Sequence, residues 1–523
     1  MIILNNVLLP LDTDFNNLKA VAAKELKTDT SNIEEARLYR KSVDARKKDN
    51  IVFCVSITVK VKGSEALFLK KCKKANPFYE KEYIWQRAAK KADNPPVVVG
   101  FGPAGMFAAL ALARAGLNPI VLERGSAVEE RTKQVEEFFN GKPLNEKSNV
   151  QFGEGGAGTF SDGKLNTGIK NPRLRTVLKT LNEHGAPDDI LIDAKPHIGT
   201  DILVSVVKSI REEIKSLGGK IYFDTKLDEI NIEDGKLVSV VANDKLINCE
   251  KLIVATGHSA RDTFSMLYEK GLEIIRKPFA MGVRIEHRQE DINKALYGRF
   301  YDSPYLGAAD YKLSVHLENG RGVYSFCMCP GGRVINASSE QGGIAVNGMS
   351  YSARDGENAN SALLVGVNPE DFSGDDVFAG VRLQRDIEQM AYELFNGSVP
   401  ITTVGFFLDG KENKLGRVKP TVKPDFRFAN FSDIFPSFIT ESLKEGIREF
   451  GRKINGFDSE EAILTAPETR SSSPIRMIRN EDCESVSLKG IYPCGEGAGY
   501  AGGIVSAAVD GLSVAEKIIE LYK

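Results

Sequence analysis

The sequence predicts an α/β protein in three parts: a discontinuous domain built on a parallel sheet, a mostly β domain inserted into it, and a small N-terminal α+β domain. Three observations lead to this fold class. An apolar strand runs into a glycine turn and a helix at residues 97–115. Further apolar strands end in glycine turns at residues 251–257 and 490–496. Between those two turns, residues 263–483 contain short alternating apolar and polar runs, which are typical of half-buried strands.

The first glycine turn, VVVGFGPAG at residues 97–105, has the pattern of a nucleotide-binding strand, turn and helix. Its β-branched residues predict a buried parallel strand. Gly100 permits the tight turn, Gly102 lets a pyrophosphate approach the backbone, and Gly105 lets the helix pack closely on the strand. The helix begins near Pro103, where unpaired N–H groups and the positive end of the helix dipole favour phosphate.

Glu123 ends the next predicted strand, IVLE at residues 120–123, at the distance typical of a ribose contact. Its carboxylate is placed to accept a hydrogen bond from a ribose 2′-OH and would repel a 2′-phosphate. We therefore expect an adenosine nucleotide that carries no 2′-phosphate.

The two later turns, KLIVATG at residues 251–257 and GIYPCGE at residues 490–496, each follow an apolar strand. With the first turn they resemble flavoproteins of the glutathione-reductase type, which cover the adenine side of FAD with an ATG turn. The resemblance implies that Glu496, where the usual residue is Asp, holds the ribityl chain. Residues 502–504 open the last predicted helix, whose N-terminus favours the anion formed on flavin reduction. Together the motifs indicate bound FAD and argue against a transient NAD.

The most glycine-dense stretch is QFGEGGAGTFSDGKL at residues 151–165. Backbone without side chains can lie against a flat ring system. We expect this loop to line the edge of the isoalloxazine, with Lys164 near its N1/C2=O side. The alternative is a surface loop with a solvated lysine.

A finer pattern narrows the resemblance. The segments are KPHIGTD at residues 195–201, FCMCPGG at 326–332, NGMS at 347–350 and ETRSSSPIR at 468–476. Together they are similar to a bacterial group described as uncharacterised FAD-dependent dehydrogenases, and the similarity extends from about Asn94 to the end of the chain. It implies a Rossmann-like FAD-binding domain with an inserted substrate domain, and it does not imply a substrate.

The motifs and the resemblance give a set of expected cofactor-binding residues. They are Gly100, Gly102, Pro103, Ala104, Gly105, Glu123, Arg124, Gly155, Gly156, Ala157, Gly158, Thr159, Lys164, Ala255, Thr256, Gly257, Gly495, Glu496, Gly502, Gly503 and Ile504. No second GxGxxG follows a strand, so we expect no dedicated NAD(P)H domain. NAD(P)H could still donate electrons through the substrate cleft.

Four residues are candidates for catalysis: Lys164, His197, Arg470 and Arg476. The two arginines flank a Ser/Pro turn and could clamp a carboxylate or phosphate, or form an ion pair between domains. His197, like His258 after the ATG turn, is an acid–base candidate or a structural histidine.

The cysteines are scattered along the chain. Seven cysteines without framework spacing predict reduced thiols in a cytoplasmic protein, and none has the spacing of a metal site. Cys327 and Cys329 lie in a predicted strand, and from the alternation of strand side chains we expect no bridge between them. Cys494, beside the closing turn, is either a redox thiol or a packed core residue.

The expected domains are a basic N-terminal unit at residues 1–92, an FAD-binding domain and a substrate domain at residues 263–483. The FAD-binding domain comprises residues 94–170, 199–262 and 484–523, and residues 171–198 connect its first two segments. The N-terminal unit has 18 Lys and Arg against 11 Asp and Glu over residues 1–90. Solvated surface lysines, an acidic partner and RNA are the alternatives for this excess.

Charge and hydropathy bound the function further. The formal charge of −2 is close to zero, so the total charge of the chain does not indicate binding to nucleic acid. No apolar run is long enough to span a bilayer. The N-terminus lacks the pattern of a signal peptide, so we expect a cytoplasmic protein. The predicted function is an FAD-dependent oxidoreductase that moves hydride through flavin N5 to or from a small anionic organic substrate. The alternative is an RNA-modifying or RNA-binding flavoprotein that uses the basic N-terminal unit.

Overall fold

The computed structural model describes residues 1–523. Its N-terminal unit is a four-stranded antiparallel sheet of order β2-β3-β1-β4, with the apolar side of α1 buried against it. The elements are β1 (Ile2–Leu9), α1 (Leu18–Leu26), β2 (Ile33–Asp44), β3 (Val52–Val61), α2 (Glu65–Lys71) and β4 (Ala75–Pro77). Part of the basic excess is paired inside this unit, as in the ion pairs Lys60–Glu34 and Lys74–Glu25.

Strand β2 is the element of this unit that sequence reasoning does not find. It is twelve residues long and lies at the edge of the sheet. Its sequence, IEEARLYRKSVD, is charged along most of its length, and only its first residue is buried. An edge strand with polar residues on both faces carries no apolar alternation to recognise.

The parallel-sheet domain begins at β5 and continues to α7. Its elements are β5 (Val97–Val99), α3 (Pro103–Arg114), β6 (Ile120–Leu122), α4 (Val128–Phe139), α5 (Arg173–Glu183), α6 (Thr200–Ser216), β7 (Lys220–Tyr222), β8 (Leu227–Glu233), β9 (Lys236–Ala242), β10 (Lys245–Asn248), β11 (Leu252–Val254) and α7 (Arg261–Glu269). Helix α5 lies in the segment expected to be a connection. Its buried residues Val177 and Leu181 belong to the same apolar core as α3 and α6.

The inserted domain is built on a seven-stranded sheet of order β14-β15-β18-β13-β21-β19-β20. Its elements are β12 (Ile274–Arg276), β13 (Phe279–Arg288), α8 (Gln289–Tyr297), β14 (Ser314–His316), β15 (Gly322–Cys329), β16 (Arg333–Asn336), β17 (Val346–Met349), β18 (Asn358–Val367), α9 (Ala379–Leu394), β19 (Val399–Thr403), α10 (Val404–Asp409), β20 (Phe426–Phe428), α11 (Ser437–Lys453), β21 (Ile463–Glu468) and β22 (Ile475–Met477). Helix α11, which is absent from the expected elements, buries Ile439, Leu443 and Ile447 in the core of this sheet.

The chain then returns to the first domain through β23 (Ile491–Pro493) and α12 (Ile504–Glu520). The resulting parallel sheet has five strands in the order β23-β11-β5-β6-β7. Helices α12 and α3 approach so closely that a Cβ on Gly511 would lie 2.1 Å from the carbonyl oxygen of Ala104. Because β23, β11 and β5 are neighbouring parallel strands, their carboxyl ends meet at one edge of the sheet, where ligands bind in open α/β sheets. Among the helices, none has both the length and the apolar character that crossing a bilayer demands.

Candidate active site

A cavity of about 760 Å³ opens at this edge, between the parallel sheet and the inserted domain. Its size lies in the range of protein sites for small molecules and cofactors. All three glycine motifs and the glycine loop contribute to its wall. The expected cofactor residues that line it are Gly100, Gly102, Pro103, Ala104, Glu123, Arg124, Gly156, Ala157, Gly158, Lys164, Ala255, Thr256, Gly257, Glu496, Gly502, Gly503 and Ile504.

Gly102 and Gly156 form the narrow part of this cradle. Gly102 is the N-cap of α3 and supplies no side chain to cap the N–H groups of the first helical turn. A Cβ added to Gly102 would lie 3.6 Å from the Cα of Gly156, in ordinary contact. The free N–H groups and the helix dipole make this a binding position for a phosphate group.

Four of the expected cofactor residues do not line the cavity: Gly105, Gly155, Thr159 and Gly495. Gly105 faces the strand, where a Cβ would come within 1.9 Å of the carbonyl oxygen of Gly100. Gly155 faces Thr159, and Gly495 faces Ala104. These residues shape the turns by close packing, and their assignment as direct contacts is corrected accordingly.

Glu123 is buried, and backbone N–H groups occupy most of the acceptor positions of its carboxylate. It accepts N–H bonds from Phe101 at 2.7 Å, from Gly125 at 2.9 Å and from Gly153 at 2.9 Å. Two carboxylate oxygens offer about four acceptor positions, so one position remains for a ribose hydroxyl. Glu123 thus fixes the fingerprint turn and the glycine loop to each other as well as facing the cavity.

The glycine loop bridges two motifs instead of lying only along one ring edge. Gly156 packs on Gly102 at the fingerprint turn, and Gly158 packs on Ile504 at the start of α12. The expectation that the whole loop lines the isoalloxazine edge is therefore corrected. Lys164, at the far end of the loop, lines the cavity, and its ammonium group has no carboxylate within salt-bridge distance.

Arg131 is the residue of this site that sequence reasoning misses. It is fully buried, and its guanidinium donates to five carbonyl oxygens in and just before the loop: Asn149, Val150, Gly153, Glu154 and Gly156. Burial lowers its pKa to about 10. A sequence signal exists, because Arg131 shares the buried face of α4 with Val128, Val135 and Phe139. A charge on an apolar helix face indicates a buried partner.

The ATG turn and the closing turn meet across the cavity. Nδ1 of His258 lies 3.2 Å from Oε1 of Glu496, and both side chains line the wall. Two buried polar atoms of this wall, Nε2 of His258 and Oγ1 of Thr256, have no hydrogen-bond partner in the protein. Buried polar atoms without partners are costly, so they indicate a polar ligand. With the phosphate cradle and the Glu123 carboxylate, these atoms fit FAD.

Arg470 lines the cavity, but its guanidinium is already neutralised. It donates to the buried Glu388 at 2.9 Å and 2.7 Å, and Arg261 of α7 donates to the same carboxylate at 3.0 Å. Burial opposes ionisation of Glu388, yet Arg470 and Arg261 outweigh it and hold the pKa of that carboxyl well below its usual range. Of the two alternatives for Arg470, the structure favours the structural ion pair, which lies within the inserted domain and is joined by Arg261 from the first domain.

Arg476 and His197 lie outside the cavity lining. Arg476 donates to the carbonyl oxygen of Gly499 at 3.1 Å and lies over the ring of Tyr500. Nε2 of His197 lies 3.1 Å from the carbonyl oxygen of Ser352, and burial lowers the pKa of this imidazole. We therefore do not retain these two residues as catalytic candidates.

Comparison with known proteins identifies the parts of the chain. Residues 278–471 match a family described as FAD-dependent protein, C-terminal domain-like, and residues 95–266 match the pyridine nucleotide-disulphide oxidoreductase family. Residues 1–60 match a domain of unknown function. A protein of Clostridium beijerinckii (strain ATCC 51743 / NCIMB 8052), called an uncharacterized protein, is 49% identical over 99% of this chain and 98% of its own length.

Three solved enzyme structures align with most of this chain, at low sequence identity and low TM-score. Glycine oxidase from Bacillus cereus ATCC 14579 has a TM-score of 0.35 at 12% identity and covers 82% of this chain and 98% of its own. L-proline dehydrogenase from P. horikoshii has a TM-score of 0.36 at 12% identity and covers 84% and 94%. Halogenase PltM in complex with FAD has a TM-score of 0.39 at 11% identity and covers 82% and 70%. Similarities at these TM-scores support no inference about function.

Proposed function

Since the chain belongs to the FAD-dependent oxidoreductases, we propose that it transfers hydride between a small anionic organic substrate and FAD bound in the cavity described above. FAD supplies the two-electron chemistry when bound, and the protein supplies binding, orientation and electrostatics. The fingerprint turn and the N-terminus of α3 would hold the pyrophosphate. Glu123 would hold the adenosine ribose, and Glu496 with His258 would hold the ribityl chain.

The observation that carries the choice of substrate is the charge of the cavity wall. Lys164, Lys277 and Lys312 line it, and none of the three forms a salt bridge within the protein. The neighbouring carboxylate of Glu468 is neutralised by Arg284 at 2.7 Å. Two further carboxylates of the wall, Glu123 and Glu496, have no Lys or Arg partner and are the ones proposed to hold FAD hydroxyl groups. The three lysines are cations without carboxylate partners, and such cations at a cavity attract anions. These lysines, and not the arginine pair expected from the sequence, support an anionic substrate.

The sheet topology supports one route for NAD(P)H to the flavin. The structure contains one parallel sheet of the nucleotide-binding kind, and its other sheets are antiparallel, two-stranded or mixed. NAD(P)H would therefore reach the flavin through the same cavity as the substrate, without a domain of its own.

Lys164 is the lysine chosen for substitution. Burial and the neighbouring Arg476 lower the pKa of Lys277, so Lys277 holds its proton less strongly than an ordinary lysine, and Lys164 is preferred.

An anaerobic spectrum tests this proposal. Flavin-loaded protein is mixed with small carboxylic acids and with the corresponding uncharged amides, and the flavin absorbance is followed, starting from the oxidised and from the reduced protein. We expect a carboxylate to bleach or restore the band faster than its amide. Lys164→Gln should weaken that carboxylate about tenfold, which corresponds to about 1.4 kcal/mol, with the flavin content unchanged. Lys19→Gln, on the exposed side of α1, is the matched control.

Two results would count against the anionic substrate. One is equal reactivity of each carboxylate and its amide with the flavin. The other is an unchanged carboxylate affinity in Lys164→Gln. NADH and NADPH are tested in separate samples. Bleaching of the flavin by either one identifies it as the electron donor. The carboxylate is then tested as the electron acceptor, starting from the reduced protein.

A further inference from the structure

Two cysteines lie on the wall that the inserted domain contributes to the cavity. Cys327 is half-buried and lines the cavity, and Cys329 is buried directly behind it at the end of β15. Both are free thiols. The proposed hydride transfer uses neither of them, so their placement against the cofactor cavity needs a separate explanation.

A β-bulge interrupts the pairing of β15 at the two cysteines. Phe326 pairs with Ala362 of β18 and Cys329 pairs with Asn360, so three steps along β15 match two along β18. Cys327 sits in this extra position with a φ of 41°, a left-handed conformation that is uncommon for a residue other than glycine.

The pairing corrects the argument from strand alternation, because residues two apart share a face of a strand. The Cys329 thiol donates to the carbonyl oxygen of Cys327 at 3.3 Å, which places the Cys329 sulfur against the backbone of Cys327. Strand alternation therefore does not keep the two thiols apart, and both are free in the structure.

The surrounding charges favour a thiolate at Cys327. The fully buried Arg284 donates to the carbonyl oxygen of Cys327 at 3.2 Å and lies 3.8 Å from the sulfur of Cys329. The hydrogen bond from Cys329, and then the charges of Arg284 and Lys164, lower the pKa of the Cys327 thiol, against the opposing effects of burial and of Asp162. A partly exposed thiol in such surroundings is typical of reactive cysteines.

We propose that Cys327 and Cys329 form a redox-active dithiol that cycles to a disulfide and exchanges two electrons with the flavin cofactor. Disulfide formation joins the two sulfurs and releases two electrons and two protons. The oxidised flavin takes up both electrons and one proton, and the other proton goes to solvent. The dithiol goes beyond the proposed function, because it adds a second two-electron centre that belongs to the protein itself.

The same geometry assigns separate roles to the two thiols toward an external small disulfide. The Cys327 thiolate, which faces the cavity, attacks one sulfur of that disulfide and releases a small thiolate. The Cys329 sulfur then attacks the Cys327 sulfur and releases the second small thiolate, which leaves the internal disulfide. Cys329 therefore resolves a mixed disulfide that forms first at Cys327.

Mass spectrometry with cystamine tests the pair without flavin. The reduced full-length protein is treated anaerobically with cystamine, alkylated and cleaved with trypsin, which releases both cysteines in one peptide, Gly322–Arg333. We expect this peptide to lose two hydrogens in the wild type. In Cys329→Ser it should carry a cysteamine adduct on Cys327, and in Cys327→Ser it should carry only the alkyl group, on Cys329. Cys54→Ser, in the N-terminal unit, should behave as the wild type.

A reductive titration tests the link to the flavin. Cystamine-oxidised, flavin-loaded wild type should take up two more electrons per chain from dithionite than Cys327→Ser, whose flavin still takes up its own two. A stable mixed disulfide in the wild type, or equal electron uptake by the two proteins, would overturn the dithiol. Because the peptide mass is independent of flavin, its failure is distinguishable from a failure of the proposed hydride transfer.

Discussion

Gly102→Val should abolish FAD binding and leave the protein folded. The nearest atom to the new Cβ would be the Cα of Gly156 at 3.6 Å, which is an ordinary contact distance, so we expect the backbone to keep its position. The two methyl groups would instead occupy the gap between the fingerprint turn and the glycine loop, where the pyrophosphate is expected. Loss of the close approach to the N-terminus of α3 should weaken FAD by about a hundredfold or more, equivalent to about 2.8 kcal/mol.

The measurement is the FAD affinity of the apoprotein by titration calorimetry, together with its thermal unfolding midpoint. Gly307→Val is the matched control, because Gly307 is exposed, lies outside the cavity and has no atom near its added Cβ. The control should bind FAD as the wild type does. Wild-type affinity in Gly102→Val would place the pyrophosphate elsewhere.

Glu388→Gln should destabilise the protein by about 3–5 kcal/mol, the usual cost of leaving a buried charge uncompensated. The Glu388 carboxylate joins Arg261 of the first domain to Arg470 of the inserted domain, and all three side chains are buried. The glutamine keeps the shape but leaves two guanidinium groups without their shared anion.

The midpoint of denaturant-induced unfolding, measured near neutral pH, is the readout for this variant. Glu441→Gln is its control, since the Glu441 side chain is exposed and pairs only with Lys444 one helical turn away; such a pair contributes about 0–1 kcal/mol. The pKa of Glu388 is depressed in the folded state, so its stabilisation is present above the ordinary carboxyl pKa and is lost as the pH falls through the folded value. Equal midpoints for the two variants at neutral pH would refute the network.

The sequence predicts the parts of the site that are local in the chain. The fingerprint at residues 97–105 needs only its own strand, turn and helix, and Gly102 and Glu123 lie where this pattern puts them. Arg470 shows the limit. Whether its guanidinium is free for a substrate depends on Glu388, which lies eighty-two residues earlier in the chain and is brought close only by folding.

The cysteines show the same limit at shorter range. The residue spacing of Cys327 and Cys329 is visible in the sequence, but the bulge that holds Cys327 in a left-handed conformation depends on pairing with β18, more than thirty residues away. Edge strand β2 gives no local signal, because its place depends on pairing with β3. Helix α11 does give one, since Ile439, Leu443 and Ile447 recur at helical spacing, and the expectation of a mostly β domain overlooks it.

The most direct test of the account is the identity and amount of flavin in the purified wild-type protein. The flavin is released by denaturation, separated by chromatography and compared with the protein concentration. We expect FAD at one molecule per chain, because the cavity extends from Glu123 on the adenosine side to Cys327 on the inserted domain. Protein that contains FMN, or that contains no flavin and binds none when FAD is added, would contradict it.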